Sequence, residues 1–175
     1  KQDTDAMQEL FIRSFDVQSL TTLDIGYIVF GDDYKRGELL ANLNREHLKA
    51  QNDCGHELAD HLPNVLRLMA KWDDRELSED LVQIILAPAL RIMLEEFSPE
   101  RVEQKKKSYK KHYKTLLETP NTRRESLYQY ALQALYEMIK RDFTLLPMVI
   151  PETSNDFLKS IQQEIEIEEK ASQFY

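Results

Sequence analysis

A chain of 175 residues, 42% hydrophobic and 31% charged, has the balance of one globular domain with room for a real core. Its formal net charge of −8 disfavours broad nucleic-acid binding, since a phosphate backbone repels such a surface at long range. Four glycines argue against a phosphate cradle and a turn-rich β fold, and the single Cys54 cannot form an internal disulfide, so a reducing cytoplasm is the expected compartment.

The expected fold is all-α, a single-domain helical bundle of about six to eight helices over residues 1–175. Asp16 reads as an N-cap, with Leu20, Leu23, Tyr27 and Phe30 following at helical spacing. Ile25, Ile28 and Val29 widen that stripe until Asp24 is the one charge between Val17 and Phe30, as in a helix at the middle of a bundle. Gly31 stops it, and Asp32 or Asp33 caps a helix running to about Gln51. Leu39, Leu40, Leu43 and Leu48 should point inward there, with Lys35, Arg36, Arg45 and Lys49 largely outward.

Residues 52–55 read as a loop, Asn, Asp and Gly being cheap in turns. Asp60 is then placed to cap a short helix whose first turn tolerates Pro63 and whose apolar face is Val65, Leu66 and Met69. A longer helix follows with Leu77, Leu81, Ile84, Ile85, Ile92 and Leu94, bent or split at Pro88. Ser98-Pro99-Glu100 restarts the chain as cap, first-turn proline and dipole-matched acid. The stretch 101–114 holds seven Lys/Arg against one Glu and should be exposed. Past a break at Thr119-Pro120-Asn121 comes a helix with Leu127, Tyr130, Ala131, Ala134, Leu135 and Met138 on one stripe, extended by Tyr128, Leu132 and Tyr136. Pro147 and Pro151 bracket a connector, and Ser154 can cap a final acidic helix. No internal repeat or alternating strand pattern is evident. The most apolar run, 81–94, contains Gln83, Pro88 and Arg91 and is too short to cross a bilayer, so no stable membrane insertion is expected.

Two strings stand out. Gly31-Asp32-Asp33-Tyr34-Lys35-Arg36-Gly37 is followed about twenty residues later by Glu57-Leu58-Ala59-Asp60-His61-Leu62, with Pro63 next. Together they resemble the signature of the NarJ/TorD family, the delta-subunit assembly chaperones of molybdenum oxidoreductases, whose strings run Gly-acid-x-x-x-Arg-Gly and Glu-Leu-Pro-Asp-His-Leu. The resemblance is closest over residues 15–94 and departs at Ala59, where the family has proline. It implies an all-α, non-catalytic protein of the NarJ/TorD type that needs no cofactor of its own. Its partner would be the apo catalytic subunit of a molybdenum–bis(guanine dinucleotide) oxidoreductase, bound through its N-terminal segment until the cofactors are inserted. Carried over by residue, the peptide-binding region falls on Glu57, Leu58, Asp60, His61 and Pro63. Gly31, Asp32, Arg36 and Gly37 match the first string, read as mainly a structural turn. Asp60 offers an anion for a Lys or Arg of the client, and the overall acidity attracts a basic leader.

Chemistry is thinly represented. His56-Glu57 begins like a zinc-protease motif, but the second histidine comes five residues later. That is about 140° round a helix, so the pair cannot share a ligand face. A loop site from Cys54, His56 and His61 is geometrically open, against the plainer alternative of a capped helix start. No nucleophile elbow, P-loop or dinucleotide fingerprint occurs. The alternative function is a helical adaptor that docks folded partners through the basic helix 101–114. Exposed connectors at 98–100 and 119–121 would permit a homodimer by helix exchange, with a hinge near 98–121.

Overall fold

The computed structural model describes residues 4–112 and 127–145, which form an all-α bundle. The connector at 119–121, the Pro147–Pro151 connector and the acidic helix after Ser154 lie outside the described residues. In chain order the helices are α1 (Thr4–Phe15), α2 (Ile25–Phe30), α3 (Tyr34–Lys49), α4 (Leu62–Met69), α5 (Arg75–Leu81), α6 (Ala87–Glu96), α7 (Pro99–His112) and α8 (Leu127–Asp142), with a π-helical turn (Val82–Leu86) between α5 and α6. Among the described residues there is no strand, only an isolated antiparallel bridge between Asp24 and His61.

The helix expected from Val17 to Phe30 is mostly not one. Asp16 follows the last turn of α1 instead of capping a helix, Gln18 takes a left-handed φ of 49°, and residues 16–24 form an irregular connector. Tertiary bonds override the helical periodicity there: the carbonyls of Ser19, Leu20 and Leu23 accept from Tyr109, Lys105 and Leu62. The surviving piece, α2, is capped in position by Asp24 and closed by Gly31, whose φ of 60° few other residues adopt. Asp33 caps α3 as expected, accepting from the Lys35 N–H at 2.9 Å. Gly37 lies inside α3, not in a turn.

α3 is turned from the expected face at its C-terminal end. Leu48 is 81% exposed, and its neighbour His47 is buried, because the His47 ring is bonded on both sides, to the Ala59 carbonyl and to Asn52. Arg36, expected outward, is mostly covered. The Pro88 prediction holds in a specific form. Proline has no N–H to donate and its ring crowds the carbonyl four residues back, and the ladder widens into the π turn just before it. That turn buries Val82, Ile85 and Leu86 and leaves Ile84, expected inward, exposed.

α6 is the central element, packing against α2, the π turn, α7 and α8. Leu90 and Met93 are fully enclosed together with Ile25 of α2, Val65 and Leu68 of α4 and Leu86, each worth about 1.5–3 kcal/mol by transfer out of water. On α8 the buried stripe is Leu132 and Ile139 with Tyr128, Leu135 and Tyr136 packed beside them; Tyr130 and Met138, expected inside, face out. Two apolar stripes overlap on this helix. The one carrying Tyr128 wins by edge-on contacts at 5.7 and 5.4 Å with Phe11 and Phe15 of α1, a helix the periodicity did not predict.

Candidate functional site

The two unusual strings meet in space. Arg36, in the first turn of α3, donates from Nε to Asp60 Oδ2 at 3.0 Å and from Nη2 to Asp24 Oδ2 at 3.2 Å. Asp24 also receives His61: its Oδ1 lies 3.0 Å from Nδ1, and because a carboxylate only accepts, Nδ1 is the donor. The guanidinium stacks over the Tyr27 ring, 5.1 Å from its centroid. Backbone bonds join the same segments, from the Ile25 N–H to the Asp60 carbonyl at 3.1 Å and from the Leu62 N–H to the Leu23 carbonyl at 2.8 Å.

Asp60 corrects the sequence expectation twice. His61, not Asp60, occupies the N-cap position of α4, and Asp60 makes no cap bond. Its side chain is 0% exposed, so it cannot grip a bound chain as proposed from sequence. It is an interior anion whose Oδ2 is paired with Arg36 while Oδ1 is buried with no hydrogen-bond partner among the described residues, so the Arg36 contact carries the whole compensation for its desolvation. Gly26 makes the approach feasible: a Cβ there would lie 2.6 Å from Asp60 Oδ2 and 2.9 Å from Leu39 Cδ2.

The loop that leads to Asp60 is held from beneath by polar side chains. His47 Nε2 donates to the Ala59 carbonyl at 2.9 Å. Asn52 Nδ2 donates to the Asn64 carbonyl at 3.1 Å, which fixes its amide and makes His47 Nδ1 the acceptor of the second contact, at 2.9 Å. Asn64 Nδ2 donates to the Leu58 carbonyl at 2.9 Å and the Cys54 carbonyl at 3.3 Å. Arg67 bonds the Asn64 side chain and the Asp53 carbonyl, and Lys71 reaches the Gln51 carbonyl. A loop of this length is therefore pinned at nearly every turn.

What the loop presents outward is His56, Glu57, Leu58 and, past the motif, Pro63. The Leu58 residue is 48% exposed and the Glu57 side chain 62%, with Glu57 Oε2 3.8 Å from His61 Nδ1. Of the predicted binding residues, Glu57, Leu58, His61 and Pro63 thus reach or border the surface, and Asp60 supports them from inside. Asp24 and Asp60 share the Arg36 guanidinium and Glu57 lies beside His61, so three carboxylates stand against one guanidinium and the edge is anionic. Asp24 and Gly26 were missed from sequence as site residues, although a lone acid in an apolar run was the signal for Asp24. His47, Asn52 and Asn64 gave no signal, since polar residues inside or beside helices are common.

No metal reading is supported by the geometry. His61 Nδ1 is engaged by Asp24, Cys54 Sγ lies 3.9 Å from the Asn52 carbonyl, and among the described residues no group of three His, Cys, Asp or Glu side chains converges. Burial pushes the Cys54 thiol above its ordinary value, against the pull of Arg67, so it is a poor nucleophile at neutral pH. The basic stretch 101–114 is not uniformly exposed: Lys105 is only 2% exposed and pairs with Glu96 at 2.9 Å. Among the described residues no helix is long and apolar enough to cross a membrane. No known protein family, curated protein or solved structure matches the chain.

Proposed function

We propose that this chain is a non-catalytic cytoplasmic assembly chaperone of the NarJ/TorD type. It would hold the N-terminal segment of a molybdenum oxidoreductase catalytic subunit until the cofactors are in place. The observation that supports the reading is the convergence of Arg36 from one signature string with Asp60 and His61 from the other, joined through Asp24 at 3.0–3.2 Å. A scaffolded, solvent-facing edge with an apolar residue, an anion and an imidazole suits capture of an extended or helical basic leader. Leu58 supplies apolar contact, and Glu57 with the partly exposed Asp24 meets a cationic side chain. Asp60 holds Arg36 in place, so its role is support of the edge and not contact with the client.

The test is binding of synthetic N-terminal peptides of molybdenum oxidoreductase catalytic subunits, followed by fluorescence anisotropy. The expected result is measurable affinity that Glu57→Gln with Leu58→Ala weakens about tenfold, equal to about 1.4 kcal/mol. Affinity unchanged by that pair, or a wild-type protein that binds none of the peptides, would defeat the reading.

A further inference from the structure

α7 is an unusual helix to find packed on a bundle, because its few apolar side chains give it little hydrophobic reason to dock. Its inner contacts are polar. Lys105 and Tyr109, one turn apart, are both buried. Lys105 Nζ lies 2.9 Å from Glu96 Oε2 at the end of α6 and donates to the Leu20 carbonyl. The Tyr109 hydroxyl donates to the Ser19 carbonyl at 3.0 Å. Both carbonyls belong to the irregular connector 16–24.

That connector is also the segment that delivers Asp24. At its near end the Leu20 and Thr21 N–H groups donate to the Ser14 carbonyl at 3.2 and 3.1 Å. At its far end the Leu23 carbonyl and the Asp24 carboxylate take up Leu62, His61 and Arg36. Only Thr21, Thr22 and Leu23 separate the residues gripped by α7 from Asp24, a reach of about 14 Å at full extension. Thr21 and Leu23 are buried, so this run has little freedom to absorb movement at its near end.

We propose that Lys105 and Tyr109 are positioning residues for the motif site, holding the Ser19 and Leu20 carbonyls and through them the Asp24 carboxylate shared by His61 and Arg36. The basic helix then acts on the site from behind, through backbone carbonyls, independently of its outward lysines. The proposal extends the chaperone reading, but its primary test needs no client.

The experiment is native-state hydrogen exchange by NMR on Tyr109→Phe and on Lys105→Met combined with Glu96→Gln, which leaves no stranded carboxylate. The two amides to watch are Ile25 and Leu62, whose bonds tie the connector to the motif loop. Their exchange should rise about five- to tenfold in both variants, while Leu68 and Leu90 in buried helices keep the wild-type rate. Lys107→Met with Lys111→Met, on the outward side of α7, should change nothing. Unchanged exchange at Ile25 and Leu62 overturns the proposal, and so does a rise shared equally by Leu68 and Leu90, which would mean general destabilisation. Tyr109→Phe removes a single hydroxyl, so one informative variant keeps the fold. Leader-peptide affinity measured on the same proteins should fall by a similar factor. A wild type that binds no leader would sink the chaperone reading and leave the exchange result to decide the positioning role alone.

Discussion

Replacing Arg36 by Met is the sharpest probe of the network that unites the two sequence strings. The substitution keeps an unbranched aliphatic side chain and removes the guanidinium, which stacks over Tyr27 and lies 3.0 Å from an Asp60 carboxylate with no solvent exposure. Removing one partner of a buried pair strands the other, which costs about 3–5 kcal/mol. Because the Arg36 side chain is itself 16% exposed, the lower end, about 3 kcal/mol, is expected. For a chain of this size that is a fall in melting temperature of about 6–12 °C. Adding Asp60→Asn removes the stranded charge, so the double variant should recover about 2 kcal/mol relative to the sum of the singles. Urea unfolding followed by far-UV circular dichroism measures all three proteins, with an unchanged m-value showing that the comparison is of like states. A cost below about 1 kcal/mol for Arg36→Met, or strict additivity in the cycle, would refute the assignment of Asp60 as an interior anion dependent on Arg36.

The glycines of the two regions should respond in opposite directions. Gly26→Ala forces a Cβ against Asp60 Oδ2 and Leu39 and should destabilise by about 1–3 kcal/mol, whereas a Cβ at Gly37 meets nothing within 4 Å, so Gly37→Ala should stabilise α3 by about 0.5–1 kcal/mol. Equal effects in urea unfolding would contradict the geometry. Lys105 gives a pH test: burial lowers its ammonium below the ordinary 10.5, against the pull of Glu96. The folded chain then binds that proton more weakly than the unfolded one, so stability rises with pH through the window from the lowered value to 10.5. Relative to Lys105→Met with Glu96→Gln, the wild type should therefore gain stability across that alkaline window, and a flat difference would contradict the burial.

The sequence disclosed the helical class and most of the chain's punctuation, because proline, glycine and capping residues act locally. Asp33, Gly31 and Ser98 do what their types dictate, whatever surrounds them. It failed where a distant partner decides. Nothing near residues 16–24 announces that two side chains about ninety residues away will take their carbonyls, so an apolar run read as one helix. Which of two neighbours on α3 turns inward is settled by what His47 can bond across the loop, and hydropathy favoured Leu48. The site was half legible. Residue types and spacing marked the motif at 57–63, but whether Asp60 faces solvent or Arg36 depends on a contact spanning 24 residues.

The bonds that build the motif edge join residues 12, 24 and 37 positions apart, drawn from three separate segments. An edge of that kind has no local precursor. Contacts of such sequence separation pay their loop-closure entropy before they return anything, so they are unfavourable in a chain whose helices are not yet packed. Nor can half of the arrangement stand in for the whole, since one guanidinium serves both carboxylates. A partly folded chain therefore carries the same residues without the surface they make, and ripeness of the core is a precondition for displaying it.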